Sequence, residues 1–287
     1  MPSNPLEKSI RSAVRMNEEL SKLFAEAGNV PAGRGYVVKA YANANRALAQ
    51  ALQESDPRFA ARDVMYQLKH GLSNDLRSAF TDATQSGMDE SARQLRFYGI
   101  HSDPAKKPMD LTKQVNIAVD AVIAQIDSQE ALLQALLMNE MDSNLILGDE
   151  NRQGVLKQSD VLTGSDYWLA ALIWDSFSLW SQAHQREAAF QKQAIAALDA
   201  RTTDCCLRVH GQIVGLNAKF HLTGTPRFAD NLDWTPFHWK CRTSVVLYLE
   251  QFDAGLTDRM RKGARYVLSQ RQLGKTPDQH PADAFWK

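Results

Sequence analysis

Residues 193–215 read QAIAALDARTTDCCLRVHGQIVG, and the change of texture across them decides the fold class. Upstream of Ala194, apolar residues recur at helical spacing. Downstream come short apolar runs broken by Gly211, Gly215, Gly224, Pro226 and Pro236. Gln193–Leu198 fits either a helix end or a strand, because a short apolar run does not separate the two. Ile213-Val214 lies beside a glycine turn, and Ser244–Leu249 (SVVLYL) has the β-branched and aromatic content of a strand. The expected fold is therefore α+β, a predominantly helical N-terminal body with a small C-terminal α+β module.

Five stripes define the helical body. Leu6, Ile10, Val14, Leu20, Leu23 and Phe24 keep mostly to one face, and Gly28 closes that segment before Pro31. Val64, Leu68, Leu72, Leu76 and Phe80 recur every fourth residue. Leu111, Val115, Val119, Val122 and Ile126 follow Asp110, a good N-cap residue. Leu132, Leu133, Leu136 and Leu137 continue in register after Asp127-Ser128. The fifth starts at Ser165-Asp166 and runs through Trp168, Leu172, Phe177 and Trp180 toward Phe190. All five read as core packing. His101–Met109, with two prolines, and the polar Leu147–Gln153 read as loops. The expected domains are 1–193, a helical body with a sub-boundary near 101–109; 194–250, the α+β module; and 251–287, a basic segment and tail.

The 287 residues carry 33 Lys+Arg against 33 Asp+Glu, and 44% are hydrophobic. That apolar content suits a folded chain, and the charge balance lacks the cationic surplus of a DNA-coating protein. Nucleic-acid contact is confined to Arg259, Arg261, Lys262, Arg265 and Arg271, whose plain alternative is a solvated helix face. Tyr167–Trp180, the most apolar long stretch, is broken by Asp175, Ser176 and Ser178 and is too short to span a bilayer, so no membrane partner is expected. Met1–Glu7 leads into the mixed-charge Lys8–Glu19 without an apolar leader, so the chain is expected to stay where it is made.

Chemistry concentrates in two short segments: Asp204-Cys205-Cys206-x3-His210, and His238-x2-Cys241. Three cysteines, two of them adjacent, make a poor disulfide framework and point to a local site in a reducing compartment. Thiolates and imidazoles on two segments joined by a loop are what tetrahedral zinc requires, so Cys205, Cys206, His210, His238 and Cys241 are candidate ligands. A Cys/His core that folds without metal is the plainer alternative, and no cofactor is required. The same residues could serve a metal- or Cys-dependent hydrolase or nuclease through Cys206, His210, His238 and Cys241, with Arg201, Arg208 and Arg242 supplying positive charge. Nothing apart from Asp204 offers an orienting carboxylate, so an enzyme is not the expectation. Ala32–Tyr36 (AGRGY) lacks the third glycine and the preceding strand of a dinucleotide fingerprint, and no P-loop, HExxH or G-x-S-x-G occurs.

Residues 197–247 resemble the C-terminal module of the Mu F-like phage head-morphogenesis (minor capsid) family. Asp199, Arg201 and Thr202 match its opening, Cys206 its Cys/His position and Gly211 its glycine. Pro236, His238, Cys241 and Arg242 match its closing Pro-Pro-x-His-x-x-Cys-Arg motif. The chain departs at Thr235, which replaces the first proline, at Thr203, where some members carry Cys, and at Thr243, where many have a second Cys. Members with the full Cys set look like metal binders; here His210 or Cys205 would have to substitute. The resemblance implies a low-copy virion protein, made in the host cytoplasm and housed in the capsid interior or at the portal vertex. Its implied partners are the portal protein and other head proteins, with weak contact to packaged DNA and a part in DNA delivery. The matching residues would then form a structural knot in which Arg201 or Arg242 bridges carbonyls or Asp199, with His238 and Cys241 beneath.

Overall fold

The structure, a computed structural model, describes residues 4–25, 32–53, 56–101, 110–138, 146, 148–184, 188–199, 201–223, 232–239 and 241–275. Its helices are α1 (Pro5–Ala25), α2 (Ala32–Ala51), α3 (Pro57–Phe97), α4 (Thr112–Met138), α5 (Asp149–Val155) and α6 (Gln158–Ala183). There follow β1 (Gln191–Ala196), α7 (Asp204–Val209), β2 (Ile213–Gly215), β3 (Thr243–Tyr248) and α8 (Leu256–Gln272). The fold is α+β, mostly helical with one small sheet. Among the described residues no helix is long and apolar enough to cross a membrane.

The contacts divide the chain into two compact units that do not follow the sequence order of the expected domains. One comprises Glu26–Asp82 and Asp110–Leu169; the other comprises Met1–Ala25, Ala83–Met109 and Ala170–Lys287.

The first of these is all helical. On α2, Val37, Tyr41, Ala44, Leu48 and Ala51 are buried at alternating steps of four and three, the spacing of one helix face. This helix absorbs Ala32–Tyr36 and was not among the expected stripes. Leu68, Leu72, Leu76 and Phe80 are buried on α3, and Val115, Val119, Val122, Ile126 and Leu133 on α4. One helix thus carries both the third and the fourth stripe, although Leu132 is 43% exposed. Asp110 caps α4, its Oδ1 accepting the Thr112 N–H at 2.9 Å. Gln129 ties three segments together: its Oε1 accepts from the Tyr41 hydroxyl at 2.9 Å, and its Nε2 donates to the Lys157 carbonyl at 3.0 Å. Two expectations need correction. Within Leu147–Gln153, α5 already begins at Asp149, and α6 begins at Gln158, seven residues before Ser165. Buried Val161 holds that first turn in place. Gly28, Pro31, residues 102–109, Leu147, Gly224, Pro226 and the tail from 276 lie outside the described residues.

The second unit is built on an antiparallel sheet of order β2-β1-β3. Gln193 is the pivot of the register, opposite Ile213 on one side and Val246 on the other. All of β3 is buried, its polar Thr243 and Ser244 together with the apolar Val245, Val246 and Leu247. Helix α1 packs on β3, with Leu6, Ile10 and Ala13 buried, and Ser244 Oγ donates to the Ala13 carbonyl at 3.1 Å. At the open edge of β3, Leu247 gives its N–H to Gln94 Oε1 (3.0 Å) and accepts the Tyr98 hydroxyl on its carbonyl (2.7 Å). Side chains from the end of α3 thus occupy backbone groups that would otherwise template another strand. Helix α6 ends at Ala183, short of Phe190, which precedes β1.

Candidate functional site

Just past β1 the chain turns on one carboxylate. Asp199 Oδ1 accepts the N–H groups of Arg201 (3.0 Å) and Thr202 (3.1 Å) and the Thr202 hydroxyl (3.2 Å), an aspartate-centred turn. Its other oxygen, Oδ2, pairs with the Arg242 guanidinium. Arg242 is 16% exposed, whereas Arg201 is 67% exposed and stands 3.9 Å from the same carboxylate. From α8, Arg271 donates to the Asp199 carbonyl at 2.8 Å and to Asp204 Oδ1 at 3.2 Å. Two distant stretches of chain are thereby locked at Asp199.

Helix α7 starts immediately after this turn, so its first turn carries Cys205 and Cys206 inward. Pro236 and Phe237 are buried on the returning segment and bring His238 and Cys241 to the same place. Cys206 Sγ lies 3.1 Å from His238 Nε2, 3.8 Å from Cys241 Sγ and 3.9 Å from Cys205 Sγ. The donor atoms of Cys205, Cys206 and His238 all fall within 4.8 Å of one another. Thr203 Oγ1 sits 3.0 Å from His238 Nε2 and 3.1 Å from Cys205 Sγ. All three cysteines are free and buried.

The electrostatics follow from this crowding. Hydrogen bonding with Cys206, reinforced by burial, pushes the Cys205 thiol up to about 12. Burial opposes a charged His238, but its hydrogen bonds with Cys205 and Cys206 prevail and push the imidazole up to about 10. Burial also works against a Cys241 thiolate, yet hydrogen bonds from Cys206 and from the Phe237 and Thr243 backbones hold that thiol below its ordinary value. The cluster is thus a set of soft donors sharing protons.

His210 does not join it. Its Nδ1 accepts the Ala196 N–H at 2.8 Å, closing the end of β1, and Nε2 has no hydrogen-bond partner among the described residues. Burial drives His210 down to about 4. Between about 6.5 and about 4 the unfolded chain therefore holds a proton that the folded chain refuses. Stability is full above about pH 6.5 and falls as the pH drops toward 4, by about 3 kcal/mol in all. Urea unfolding at about pH 7 and about pH 4.5 should show this loss, and His210→Gln should shrink it.

Set against known protein families, curated proteins and solved structures, the chain matches none.

The remaining expected residues are placed as follows. Gly211 has φ +78°, donates its N–H to the Ala194 carbonyl at 2.8 Å and accepts Arg261 Nε at 3.2 Å. A Cβ there would lie 3.0 Å from Arg261 Cγ, a tight contact, and the positive φ is what favours glycine. In the basic stripe, Arg271 and Arg261 are thus engaged within the fold, and Arg265 Nε donates to the Arg261 carbonyl at 3.3 Å. Lys262 is exposed. No local signal marks Lys192, which is fully buried on β1. Its Nζ donates to the Leu216 carbonyl at 2.8 Å and lies 4.3 Å from the Trp234 ring centroid and 5.3 Å from that of Phe220. Burial lowers this amine to about 8. A lysine flanked by glutamines in a short segment resembles any solvated strand residue, and only the packing of Phe220 and Trp234 around it reveals its part.

Proposed function

We propose that this chain is a phage minor head protein, acting in head morphogenesis through binding to the portal and other head proteins. The observation that carries the reading is the closure of the motif on itself. The residues shared with the Mu F-like pattern come from two stretches, 199–211 and 236–242, and five of them, Asp199, Cys206, His238, Cys241 and Arg242, pair across the two. Asp199 pairs with Arg242, and Cys206 meets His238 and Cys241. A motif whose members hold one another is a structural motif, and a structural virion part is what the resemblance implies. The full burial of Cys205 and Cys206 supports the same reading over that of a Cys-dependent hydrolase, since a nucleophile needs a face open to its substrate. With Arg261 and Arg271 committed internally, DNA contact is a minor part of the proposed role.

Affinity purification of the tagged chain from cells producing the virion tests this. Recovery with the portal and major head proteins, and its presence in finished particles, is the expected result. A chain that purifies alone and is absent from particles overturns the proposal.

A further inference from the structure

We propose that Cys205, Cys206, His238 and Cys241 bind one zinc ion. This goes beyond the virion role and does not depend on it.

The argument is geometric. Zinc holds thiolate sulfur at about 2.3 Å in a tetrahedron, which places two coordinated sulfurs about 3.8 Å apart. Cys206 Sγ lies 3.8 Å from Cys241 Sγ and 3.9 Å from Cys205 Sγ, so two edges of that tetrahedron already exist. A sulfur and an imidazole nitrogen on the same ion lie about 3.5 Å apart. The observed 3.1 Å between Cys206 Sγ and His238 Nε2 is a hydrogen-bonded contact that opens by a few tenths of an ångström when a metal replaces the proton. Cys206 is the common corner of all three pairs. The group within 4.8 Å comprises Cys205, Cys206 and His238, so Cys241 is the fourth ligand and the one that moves inward.

The orientation of His238 is an independent observation. Its Nδ1 donates to the Trp239 carbonyl at 2.7 Å, which turns Nε2 toward the sulfurs, where a metal would displace its proton. Metal-bound histidines are oriented in this way, with the second nitrogen held by a carbonyl or carboxylate. Thiolate and imidazole donors select zinc over magnesium or calcium, whose preferred ligands are oxygens. The site also staples α7 to the segment before β3, parts of the chain more than thirty residues apart, so binding free energy becomes folding free energy.

The full chain, purified under reducing conditions without chelator, is measured for metal by atomic emission and titrated with cobalt(II). The expected results are close to one zinc per chain, and a tetrahedral thiolate–cobalt spectrum that zinc abolishes. A strong chelator should lower the melting temperature and added zinc should restore it. Cys206→Ser should weaken zinc binding by more than the ~10–100-fold attributable to residues that merely orient a ligand. His210→Gln should leave zinc binding unchanged, since His210 serves Ala196. Zinc below about a tenth of an equivalent after incubation with the metal overturns the proposal, as does an octahedral cobalt spectrum. A melting curve indifferent to both chelator and zinc overturns it too. Metal analysis and the cobalt spectrum are read on the unaltered chain, so misfolding of a variant does not blunt the test.

Discussion

Gly87→Ala is expected to lower the melting temperature by on the order of 2–5 °C, although it adds one methyl to a helix. A Cβ at Gly87 would lie 2.0 Å from the Ile173 carbonyl oxygen and 2.1 Å from Ser176 Oγ, distances that no side-chain rotation relieves because the first is backbone. One turn further along, Ser91 and Ser181 share a buried hydroxyl contact at 2.7 Å, so small residues line this approach of α3 to α6. The methyl must therefore push two helices apart. Overpacking of this kind costs about 1–3 kcal/mol and sometimes more, outweighing the ~1 kcal/mol that alanine gains over glycine in a helix. Gly71 supplies the control. It lies in the same helix, exposed, with nothing within 4 Å of a built Cβ. Gly71→Ala should therefore stabilise by up to ~1 kcal/mol. Equal and positive shifts for the two variants would rule out the close approach.

Arg242→Ala is the second large effect, expected at about 2 kcal/mol by denaturant unfolding. Removing one partner of a buried pair costs about 3–5 kcal/mol, and the 38% exposure of Asp199 reduces that through solvent screening. The Arg242 carbonyl, which accepts the Ala197 N–H beside the end of β1, is kept by this substitution, so the loss reports the guanidinium alone. Arg201→Ala, at a side chain 67% exposed and 3.9 Å from Asp199, should change stability by less than ~0.5 kcal/mol. Melting and particle assembly measured together separate two roles. Loss of both marks a structural part, whereas intact melting with lost assembly would assign Arg242 to a partner surface.

Local patterns in the sequence were legible; contacts across it were not. The stripes of α1, α3 and α4 declare themselves because aliphatic residues recur on one face. α2 escaped because its inward face includes the small Ala44 and Ala51, and because glycines at 33 and 35 resemble a loop. The start of α6 escaped because Gln158, Ser159 and Asp160 read as a connection until Val161 is seen buried. Gly87 carried no local signal beyond the cost of a glycine inside a helix. At the site, spacing alone brought Cys205, Cys206, His238 and Cys241 into one list. It could not exclude His210, whose nitrogen is turned to the Ala196 N–H by the sheet register. The division into units is wholly non-local, since it depends on α1 finding β3.

That pairing has a consequence for the order of synthesis. Ser244 reaches Ala13 across 231 positions, and Asn4 donates to the Phe252 carbonyl across 248. Both segments of the all-helical unit are translated before β3 exists, so that unit can fold while the chain is still growing. Helix α1 must wait through this period with Leu6 and Ile10 uncovered, its resting place not yet made. Helix α1, translated before β1 and β3, is thus among the last of the described helices to be packed, and a chain stalled before residue 243 presents that apolar face to whatever holdase is at hand.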